Sequence, residues 1–450
     1  MRIAMISEHA SPLACTAEVV ATDTRDVAGS TDPARRAVAG IGAVDAGGQN
    51  VHVHALATAL GRAGHEVVVH TRRTDPVTPR RVPLAPGVVV DHVPAGPAVE
   101  LGKDELLQYM GEFAAVLRRR WRGQGDEAER SSTPGLWRPD VAHAHFWMSG
   151  LAALEAGRAT GVPVTQTFHA LGSVKRRHQG AQDTSPPERV ARESDLAASV
   201  DRVIATCRDE VAELVALGVS ADRIDVVPCG VDVDHFRPGP APALAAPGIL
   251  TVSRLVPRKG VDTVIRALGR LSVDGPAPEL VVAGGPTAAT LDEDAEVARL
   301  RAIAAAEGVA DRVRFVGRVT PAGMPALMRS ADVVACLPAY EPFGLVPLEA
   351  MACGRPVVAA RVGGLADTVV DGHTGLHVPP GDPDAAARAL GALLADPGRA
   401  ARLGRAGRAR AEAHYGWDRV AAATAAVYRD VLAVPAEAPA PVAGLTGVRS

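Results

Sequence analysis

The sequence predicts an α/β protein built from two successive units, each with a parallel sheet. Short apolar segments of strand length alternate with helical segments, and this alternation stops at a proline-rich segment and then restarts. The chain has 450 residues, which is enough for two or three domains of ordinary size.

In the first unit, helical segments separate the apolar segments. The stretch "NVHVHALATALGRAG" predicts a helix over residues 50–64 that ends at Gly64. Strands that alternate with helices in this way form βαβ units, whose strands run parallel. We predict strands at residues 2–7, 64–73, 139–146, 162–170, 202–207 and 224–230.

The second unit follows residues 237–248, "RPGPAPALAAPG", which we interpret as a linker. The same alternation then resumes, and a final helix is predicted at residues 417–432. Strands are predicted at residues 249–254, 279–285, 313–318, 332–338 and 355–361, and helices near residues 260–271, 293–307 and 321–330 and after Phe343. The predicted domains therefore cover residues 1–236 and 237–416.

Two segments do not fit the alternation. Residues 13–46 are small and polar and lie between the first strand and the first helix. We expect a flexible insert there, either a lid or a tolerated surface insertion. Residues 433–450 are rich in proline and alanine, and we predict a disordered tail.

Composition excludes several classes of protein. The net charge is −3, so no general electrostatic footprint for nucleic acid exists. The five cysteines lie far apart without a CxxC pair, which favours a reducing compartment over a disulfide or zinc scaffold. We find no signal peptide and no run of apolar residues long enough to cross a membrane. We therefore expect a cytoplasmic protein.

The stretch "EPFGLVPLEA" places one carboxylate before a predicted helix start and another after it. A helix that begins near Leu345 leaves the N–H groups of Gly344, Leu345 and Val346 free, and such a terminus binds phosphate. Glu349 could then accept both hydroxyl hydrogens of a ribose, while Glu341 faces the hydroxyls of a sugar. A nucleotide sugar has this layout. The alternative is that both glutamates are solvated charges at a helix end.

Positively charged residues follow two strands of the second unit. In "VSRLVPRKG", Arg254 follows a strand and Lys259 precedes a helix. Ligands of open α/β sheets lie at the carboxyl ends of the strands, where Arg254 could grip a diphosphate and Lys259 could add a second charge. We interpret Arg258 as a surface residue. Arg318 follows another strand in "VGRV".

A glycine pair precedes the first helix. In "AGGQNVH", Gly47 and Gly48 provide backbone N–H groups that could meet phosphate, although a simple turn is the alternative. The stretch matches neither the dinucleotide-binding fingerprint nor a P-loop. If this stretch lies opposite the site of the second unit, it would close a cleft onto the ligand.

The histidines invite a metal interpretation, which we do not adopt. His143 and His145 have strand spacing, so both rings point to one face. No cluster of carboxylates or cysteines at ligand spacing completes a metal site. We expect His145 to pack or to form a hydrogen bond at a strand end. His169 follows a strand in "TFHAL", where a satisfied loop histidine is the alternative to a ligand contact.

At these motifs the chain resembles the retaining glycosyltransferases of the GT-B fold, in family 4 (group 1). Matching segments include "AGGQNVHVHALATALGRAGHEVVVHTRR", "DVAHAHFWMSG", "TFHALGSVKRRH", "VSRLVPRKGVDTVIRAL" and "ARVGGLADTVVDGHTGLHVPPGD", in family order over nearly the whole chain. The chain is similar to transferases that act on inositol phosphate and to those of the sucrose-phosphate type.

The resemblance implies two Rossmann-like, doubly wound domains that face an interdomain cleft. Residues 1–236 would bind the acceptor, residues 237–416 would bind the donor, and the helix at 417–432 would cross back to the first domain. The catalytic residues implied are His169, Arg254, Lys259 and Glu341. The donor site implied comprises Gly47, Gly48, Arg254, Lys259, Arg318, Glu341, Phe343, Gly344, Leu345, Val346 and Glu349.

The acceptor is less well defined by the resemblance, which implicates Lys175 and Arg189. Arg189 falls where the inositol-phosphate enzymes contact the acceptor phosphate, but Ala170 stands where those enzymes have threonine. The pattern from His169 to Lys175 instead resembles sucrose-phosphate synthases. We therefore expect a small polar acceptor and leave open whether it carries a phosphate.

The implied reaction is hexosyl transfer from a nucleotide sugar with retention. No carboxylate is a convincing nucleophile for double displacement. The family is described by same-face attack, in which the leaving diphosphate takes the acceptor proton. UDP is the predicted nucleotide, with GDP and ADP left open, and neither a metal ion nor another cofactor is expected. A nucleotide-sugar epimerase or hydrolase and a non-catalytic binder are the alternatives. The sugar, the acceptor and the oligomeric state stay open.

Overall fold

The computed structural model describes residues 1–14, 48–124, 137–240, 248–272 and 276–433. The predicted insert at 13–46 and the predicted tail at 433–450 lie almost entirely outside these residues, as does most of the linker at 237–248.

Within the described residues, the first domain contains an eight-stranded sheet in the order β3-β4-β2-β1-β5-β6-β7-β8. Its strands are β1 (Arg2–Ile6), β2 (Glu66–Arg72), β3 (Arg81–Ala85), β4 (Val88–Val93), β5 (Val141–His145), β6 (Val164–Thr167), β7 (Arg202–Ala205) and β8 (Ile224–Val226). Neighbouring strands run parallel, except that β3 and β4 form an antiparallel hairpin.

Helices cover both faces of this sheet. They are α1 (Gly48–Arg62), α2 (Met110–Trp121), α3 (Trp147–Thr160), α4 (Gly172–Gln179), α5 (Arg189–Ser199) and α6 (Arg208–Ala216). Strand β1 shows why two helical layers are needed, because alternate side chains point to opposite faces of a sheet. Ala4 and Ile6 belong to one buried cluster, and Ile3 and Met5 belong to another.

The second domain contains a six-stranded, all-parallel sheet in the order β11-β10-β9-β12-β13-β14. Its strands are β9 (Gly248–Val252), β10 (Glu279–Ala283), β11 (Val313–Gly317), β12 (Val333–Cys336), β13 (Val357–Ala360) and β14 (Gly375–Val378). Its helices are α7 (Val261–Arg270), α8 (Ala295–Ala306), α9 (Met324–Ser330), α10 (Leu345–Ala352), α11 (Gly363–Thr368), α12 (Pro383–Leu394) and α13 (Pro397–His414). The predicted α/β class with two Rossmann-like sheets is confirmed.

The last helix, α14 (Trp417–Ala433), packs against α1 of the first domain. Its side chains Trp417 and Tyr428 are buried in the apolar cluster that α1 forms with β1 and β2. In the part of the chain that the structure describes, the backbone therefore crosses between the domains twice. The two crossings lie side by side, because the N–H of Val231 donates to the carbonyl of Tyr415 at 2.7 Å.

Candidate active site

The carboxyl ends of strands from both sheets open into one cleft of about 360 Å³ between the domains. In parallel α/β sheets, ligands bind at this end of the strands. Residues that directly follow β5, β6, β9 and β12 line the cleft. The first domain contributes His9, Gly48, Gln49, Asn50, Lys103, Phe146, His169 and Ala170, and the second contributes Arg254, Arg258, Lys259, Glu341, Phe343, Gly344, Leu345 and Val346, among others.

Helix α10 begins at this cleft, as the sequence predicts. Gly344 is the residue before its first turn and has a φ of 76°, a conformation that glycine adopts without a steric penalty. Gly344, Leu345 and Val346 all line the cleft. The start of α10 therefore offers the N-terminal end of a helix dipole to an anion in the cleft.

The start of α1 faces the start of α10 from the opposite domain. A methyl group placed on Gly48 would lie 3.3 Å from Leu345 Cδ1 and 3.5 Å from Phe343 Cδ2. Two helix N-termini thus meet in one cleft. Gly47, the other residue predicted here, lies outside the described residues.

Three cationic side chains enter the cleft from the second domain. Arg254 is exposed, and Lys259 ends a short 3₁₀ turn after β9. The Lys259 ammonium forms an ion pair with Glu341, and both side chains are largely buried. Arg258 also lines the cleft and is half-buried, so its interpretation as a surface residue is wrong.

The other two predicted donor residues do not line the cleft directly. Glu349 is in α10 and partly buried, and burial together with the charges of Glu341 and Glu349 raises the pKa of the cleft-lining Cys336 thiol. Burial raises the pKa of Glu349 itself to about 8. Arg318 is exposed and follows β11, the edge strand. Its proposed contact with the nucleotide base stays a prediction.

His169 lies at the floor of the cleft on the first-domain side. Its backbone φ is 62°, in the left-handed region, and its side chain is buried. Its Nε2 lies 2.9 Å from Nδ1 of His145, which confirms the predicted hydrogen-bonding role of His145 at a strand end. The His169 ring centroid is 5.3 Å from that of Phe343 in the other domain. Burial holds the pKa of His169 well below its usual range, so the ring is neutral.

The two predicted acceptor residues lie behind the cleft rather than in its lining. Lys175 pairs with Asp183 at 2.9 Å, and its Nζ donates to Ser185 at 2.9 Å. Arg189 is buried and pairs with Glu193 at 2.7 Å.

Lys103 is a cleft residue that sequence reasoning missed. Its Nζ lies 3.7 Å from the ring centroid of Phe146, and Arg189 contacts the same ring from 5.0 Å. Burial, together with the charges of Arg189 and Lys175, lowers the pKa of Lys103 to about 8. His9 was also missed. It packs edge-on against Phe146 and pairs with the buried Glu8 at 2.7 Å.

Within the described part of the chain, no group of three or more His, Cys, Asp and Glu side chains is arranged to hold a metal ion. The cationic side chains and helix ends are the positive groups that line the cleft. Nor does any described helix combine the length and apolar character that crossing a membrane requires.

Two Rossmann-like domains that face a cation-lined cleft define a nucleotide-sugar-dependent glycosyltransferase of the GT-B fold. Family comparison agrees: the model for Glycosyltransferase Family 4 matches residues 46–235, and the model for Glycosyl transferases group 1 matches residues 235–410. The chain belongs to this family of retaining glycosyltransferases, and the resemblance seen in the sequence is confirmed.

Individual relatives support the same assignment. The chain is 39% identical to the D-inositol 3-phosphate glycosyltransferase of Acidothermus cellulolyticus, over 96% of this chain and 91% of that protein. It is 40% identical to D-inositol 3-phosphate glycosyltransferase 2 of Catenulispora acidiphila, over 86% of this chain and 91% of that protein.

Solved structures show the same architecture. The sucrose-phosphate synthase of Thermosynechococcus elongatus superposes with a TM-score of 0.76 at 30% identity, covering 96% of this chain and 99% of that one. HepE of Anabaena, solved with UDP and glucose, superposes with a TM-score of 0.67 at 19% identity, covering 96% of this chain and 100% of that one. The latter likeness shows the fold alone.

Proposed function

We propose that the protein transfers a hexosyl group from a UDP-sugar to a hydroxyl of a small phosphorylated acceptor. One observation carries this proposal: Arg254, Lys259 and the start of α10 line one side of the cleft, and Lys103 lines the other. Each side is therefore suited to an anion. The relatives named as D-inositol 3-phosphate glycosyltransferases support a phosphorylated acceptor.

The donor diphosphate would lie between Arg254, Lys259 and the start of α10. Negative charge grows on a diphosphate as it leaves the sugar, so fixed cations and N–H dipoles stabilise the transition state more than the ground state. Arg254 can form two parallel hydrogen bonds to phosphate oxygens, whereas Lys259 acts as a point charge. Each tenfold gain in rate needs about 1.4 kcal/mol of such differential binding.

The ion pair of Lys259 with Glu341 prepares the site for a donor. Each side chain holds the other in the cleft. When a donor binds, we expect Lys259 to turn its charge to the diphosphate and Glu341 to accept a hydrogen from a sugar hydroxyl. Because both groups are already in place, little side-chain entropy is lost on binding.

The acceptor phosphate would contact Lys103. Its ammonium is partly stripped of water, so an anion gains more from it than from an exposed lysine. Arg189 and Lys175 add positive potential from behind the lining, although each is already paired with a carboxylate. They would raise the local potential rather than grip the phosphate. Ala170, which lines the cleft, offers no hydroxyl to the acceptor.

The proposed reaction proceeds on one face of the sugar. The C1–O bond to the diphosphate breaks, the acceptor oxygen bonds to C1 from the same side, and a diphosphate oxygen takes the acceptor proton. The protein would contribute positioning and charge stabilisation. Closure around both substrates would exclude water and so limit hydrolysis of the donor.

A nucleotide-release assay tests this function. We expect UDP to stabilise the protein against heat more than GDP or ADP, and UDP release from UDP-sugars to accelerate when an inositol phosphate or hexose phosphate is added. Product NMR should show the donor anomeric configuration. The variant Lys103→Met should raise the KM for a phosphorylated acceptor but not for the donor. UDP release that no acceptor accelerates, or an epimerised sugar, would contradict the proposal.

A further inference from the structure

Four buried histidines form a cluster between the cleft and the last helix, which we call the histidine stack. His52 lies in α1, His143 and His145 lie in β5, and His169 follows β6. The ring centroids of His143 and His145 are 4.1 Å apart, and those of His145 and His169 are 5.1 Å apart. Desolvation lowers the pKa of each ring, to about 3 for His143 and about 4 for His52. All four are neutral near pH 7.

The hydrogen bonds of His143 select one neutral tautomer. The hydroxyl of Thr167 donates to the carbonyl of Ile204 at 3.0 Å, so towards His143 it acts as an acceptor. His143 Nε2, at 2.9 Å, is then the donor. The remaining nitrogen, Nδ1, must accept, and the hydroxyl of Tyr428 lies 2.7 Å from it. Tyr428 therefore donates to His143, and both ring nitrogens of His143 have a hydrogen-bond partner.

Tyr428 comes from α14, which reaches the first domain only after the chain has passed through the second. Its hydroxyl bond orients the ring of His143, and the ring of His145 packs against that ring at a tilt of 38°, with 4.1 Å between the centroids. His145 in turn bonds to His169. Within the described residues, His145 Nε2 and His169 Nδ1 are buried without a hydrogen-bond partner. A buried nitrogen without a partner is costly unless a ligand pairs with it.

We propose that Tyr428, His143 and His145 are positioning residues that set the ring orientation of His169 for glycosyl transfer. The inference rests on the proposed glycosyl transfer and on the catalytic role that the family resemblance implies for His169. His169 lines the cleft, with Nε2 held by His145 and Nδ1 buried without a hydrogen-bond partner among the described residues. A stack that served packing alone would need the Tyr428 ring but not its hydroxyl.

The variant Tyr428→Phe tests this inference, because it removes the hydroxyl and keeps the ring. We expect kcat for UDP release from a UDP-sugar to fall by about five- to tenfold, with unchanged KM for the donor and unchanged affinity for UDP. Imidazole ¹⁵N NMR of the wild type should show His143 protonated at Nε2. In the variant, the ring nitrogen shifts of His143, His145 and His169 should all change.

Tyr415→Phe is the matched control. Its hydroxyl is also hydrogen-bonded, but to Arg410 and the carbonyl of Asp367 rather than to a histidine of the stack. This variant should keep both kcat and the His169 shifts. A folded Tyr428→Phe variant that keeps either its kcat or its His169 shifts, or a Tyr415→Phe variant that loses both equally, overturns the proposal. The NMR measurement needs no turnover. Failure to find an active donor would therefore contradict the proposed function, while the NMR measurement would still test the positioning of His169.

A double-mutant cycle provides a second test. Tyr428 contacts the stack through His143 Nδ1, so its hydroxyl should matter only while His143 is present. We expect His143→Gln to lower kcat at least as much as Tyr428→Phe, and the double variant to lose no more than His143→Gln alone. Multiplicative losses would show that Tyr428 and His143 act independently, which would overturn the proposed chain of contacts.

Discussion

Glu341 and Glu349 are the same residue type eight positions apart, yet their surroundings differ. Glu341 has an ammonium partner in Lys259. Glu349 has no ion pair among the described residues, and desolvation alone raises its pKa to about 8. A carboxyl without a partner in a water-poor place keeps its proton, because nothing there compensates the charge. Glu349 is therefore a group whose charge a ligand can change.

Nucleotide binding should release a proton from Glu349. With a pKa of about 8, this carboxyl is about nine-tenths protonated at pH 7. To accept both hydrogens of a ribose diol it must ionise. We expect titration calorimetry of UDP, in buffers of different ionisation enthalpy, to show about one proton released per UDP at pH 7.

Glu349→Gln is the control for this measurement, since protons exchanged by the phosphates of UDP are common to both proteins. The variant should release about one proton fewer and bind UDP about tenfold more weakly. The same proton release in both proteins would show that Glu349 does not ionise on binding.

Cleft residues that lie in a sequence motif could be predicted from the sequence, whereas cleft residues outside any motif could not. Arg254, Lys259 and Glu341 stand beside predicted strand ends and a helix start, and the fold brings all three to the cleft. Lys103 stands in "GKDELL", which has no distinctive pattern. Its position over Phe146 depends on packing between segments distant in sequence. The only sequence signal for His9 is its place just after the first strand.

At the scale of elements, predicted boundaries failed where one residue's backbone conformation ends a strand. The predicted strand 162–170 ends as β6 at Thr167, and His169 beyond it has a left-handed φ. The hairpin of β3 and β4 was missed, although Gly87, with a φ of 76°, marks its turn. The strands between helices were predicted correctly because buried parallel strands are continuous apolar segments, whatever their exact ends.

Gly344→Ala should weaken nucleotide binding through the start of α10. An added methyl group has room, since its nearest neighbour would be 3.4 Å away, but the φ of 76° disfavours any side chain by about 1 kcal/mol. The strain would shift the first N–H groups of α10 away from the phosphate. We expect a small fall in melting temperature and about tenfold weaker UDP binding, measured by calorimetry.

Gly372→Ala separates strain from binding. Gly372 has a φ of 70°, and an added methyl group meets nothing within 4 Å. It is in the turn before β14 and does not line the cleft. We expect the same loss of stability with unchanged UDP affinity. Equal affinity losses in both variants would mean that the geometry of α10 is not what binds phosphate.

For the whole molecule, the histidine stack couples stability to pH. The pKa of His143 is lowered from 6.5 to about 3, so the unfolded chain binds a proton below pH 6.5 that the folded chain refuses. The contribution of His143 to the free energy of unfolding is therefore fully present above pH 6.5. It falls as the pH drops, by about 2 kcal/mol at pH 5. The raised pKa of Glu349 acts in the opposite direction between pH 8 and 4.5. We therefore predict how the pH dependence of the free energy of unfolding differs between variants, rather than its absolute value in one protein.

His143→Gln should remove this share of the pH dependence. Calorimetric unfolding at pH 7 and pH 5 should show the variant losing about 2 kcal/mol less than the wild type on acidification. The exposed His373 provides a control, and His373→Gln should behave as the wild type does. A wild-type pH dependence in His143→Gln would show that this ring is not neutral when buried.

The contacts of the interdomain linker bear on how the cleft opens. The described part of the predicted linker is fastened to the second domain, because Arg329 Nε donates to the carbonyl of Pro240 at 3.0 Å. Just before it, the Arg408 guanidinium donates to the carbonyls of Val233 and Phe236. These residues should move with the second domain. We therefore expect the hinge of cleft closure to lie at the paired crossings around Gly230 and Gly416 rather than in the linker at residues 237–248.

Hinge position can be tested with two glycine variants that differ only in location. Neither Gly416 nor Gly239 has a positive φ; a methyl group on Gly416 meets nothing within 4 Å, and one on Gly239 makes an ordinary contact of 3.6 Å with Arg329. Each alanine therefore mainly restricts backbone freedom.

We expect UDP to reduce the radius of gyration of the wild type in solution scattering, as the cleft closes. Gly416→Ala should diminish this change and lower kcat, because opening bends the crossing at this residue, whereas Gly239→Ala should leave both as in the wild type. The reverse result would place the hinge in the linker, where the arginine contacts would then have to break with each opening.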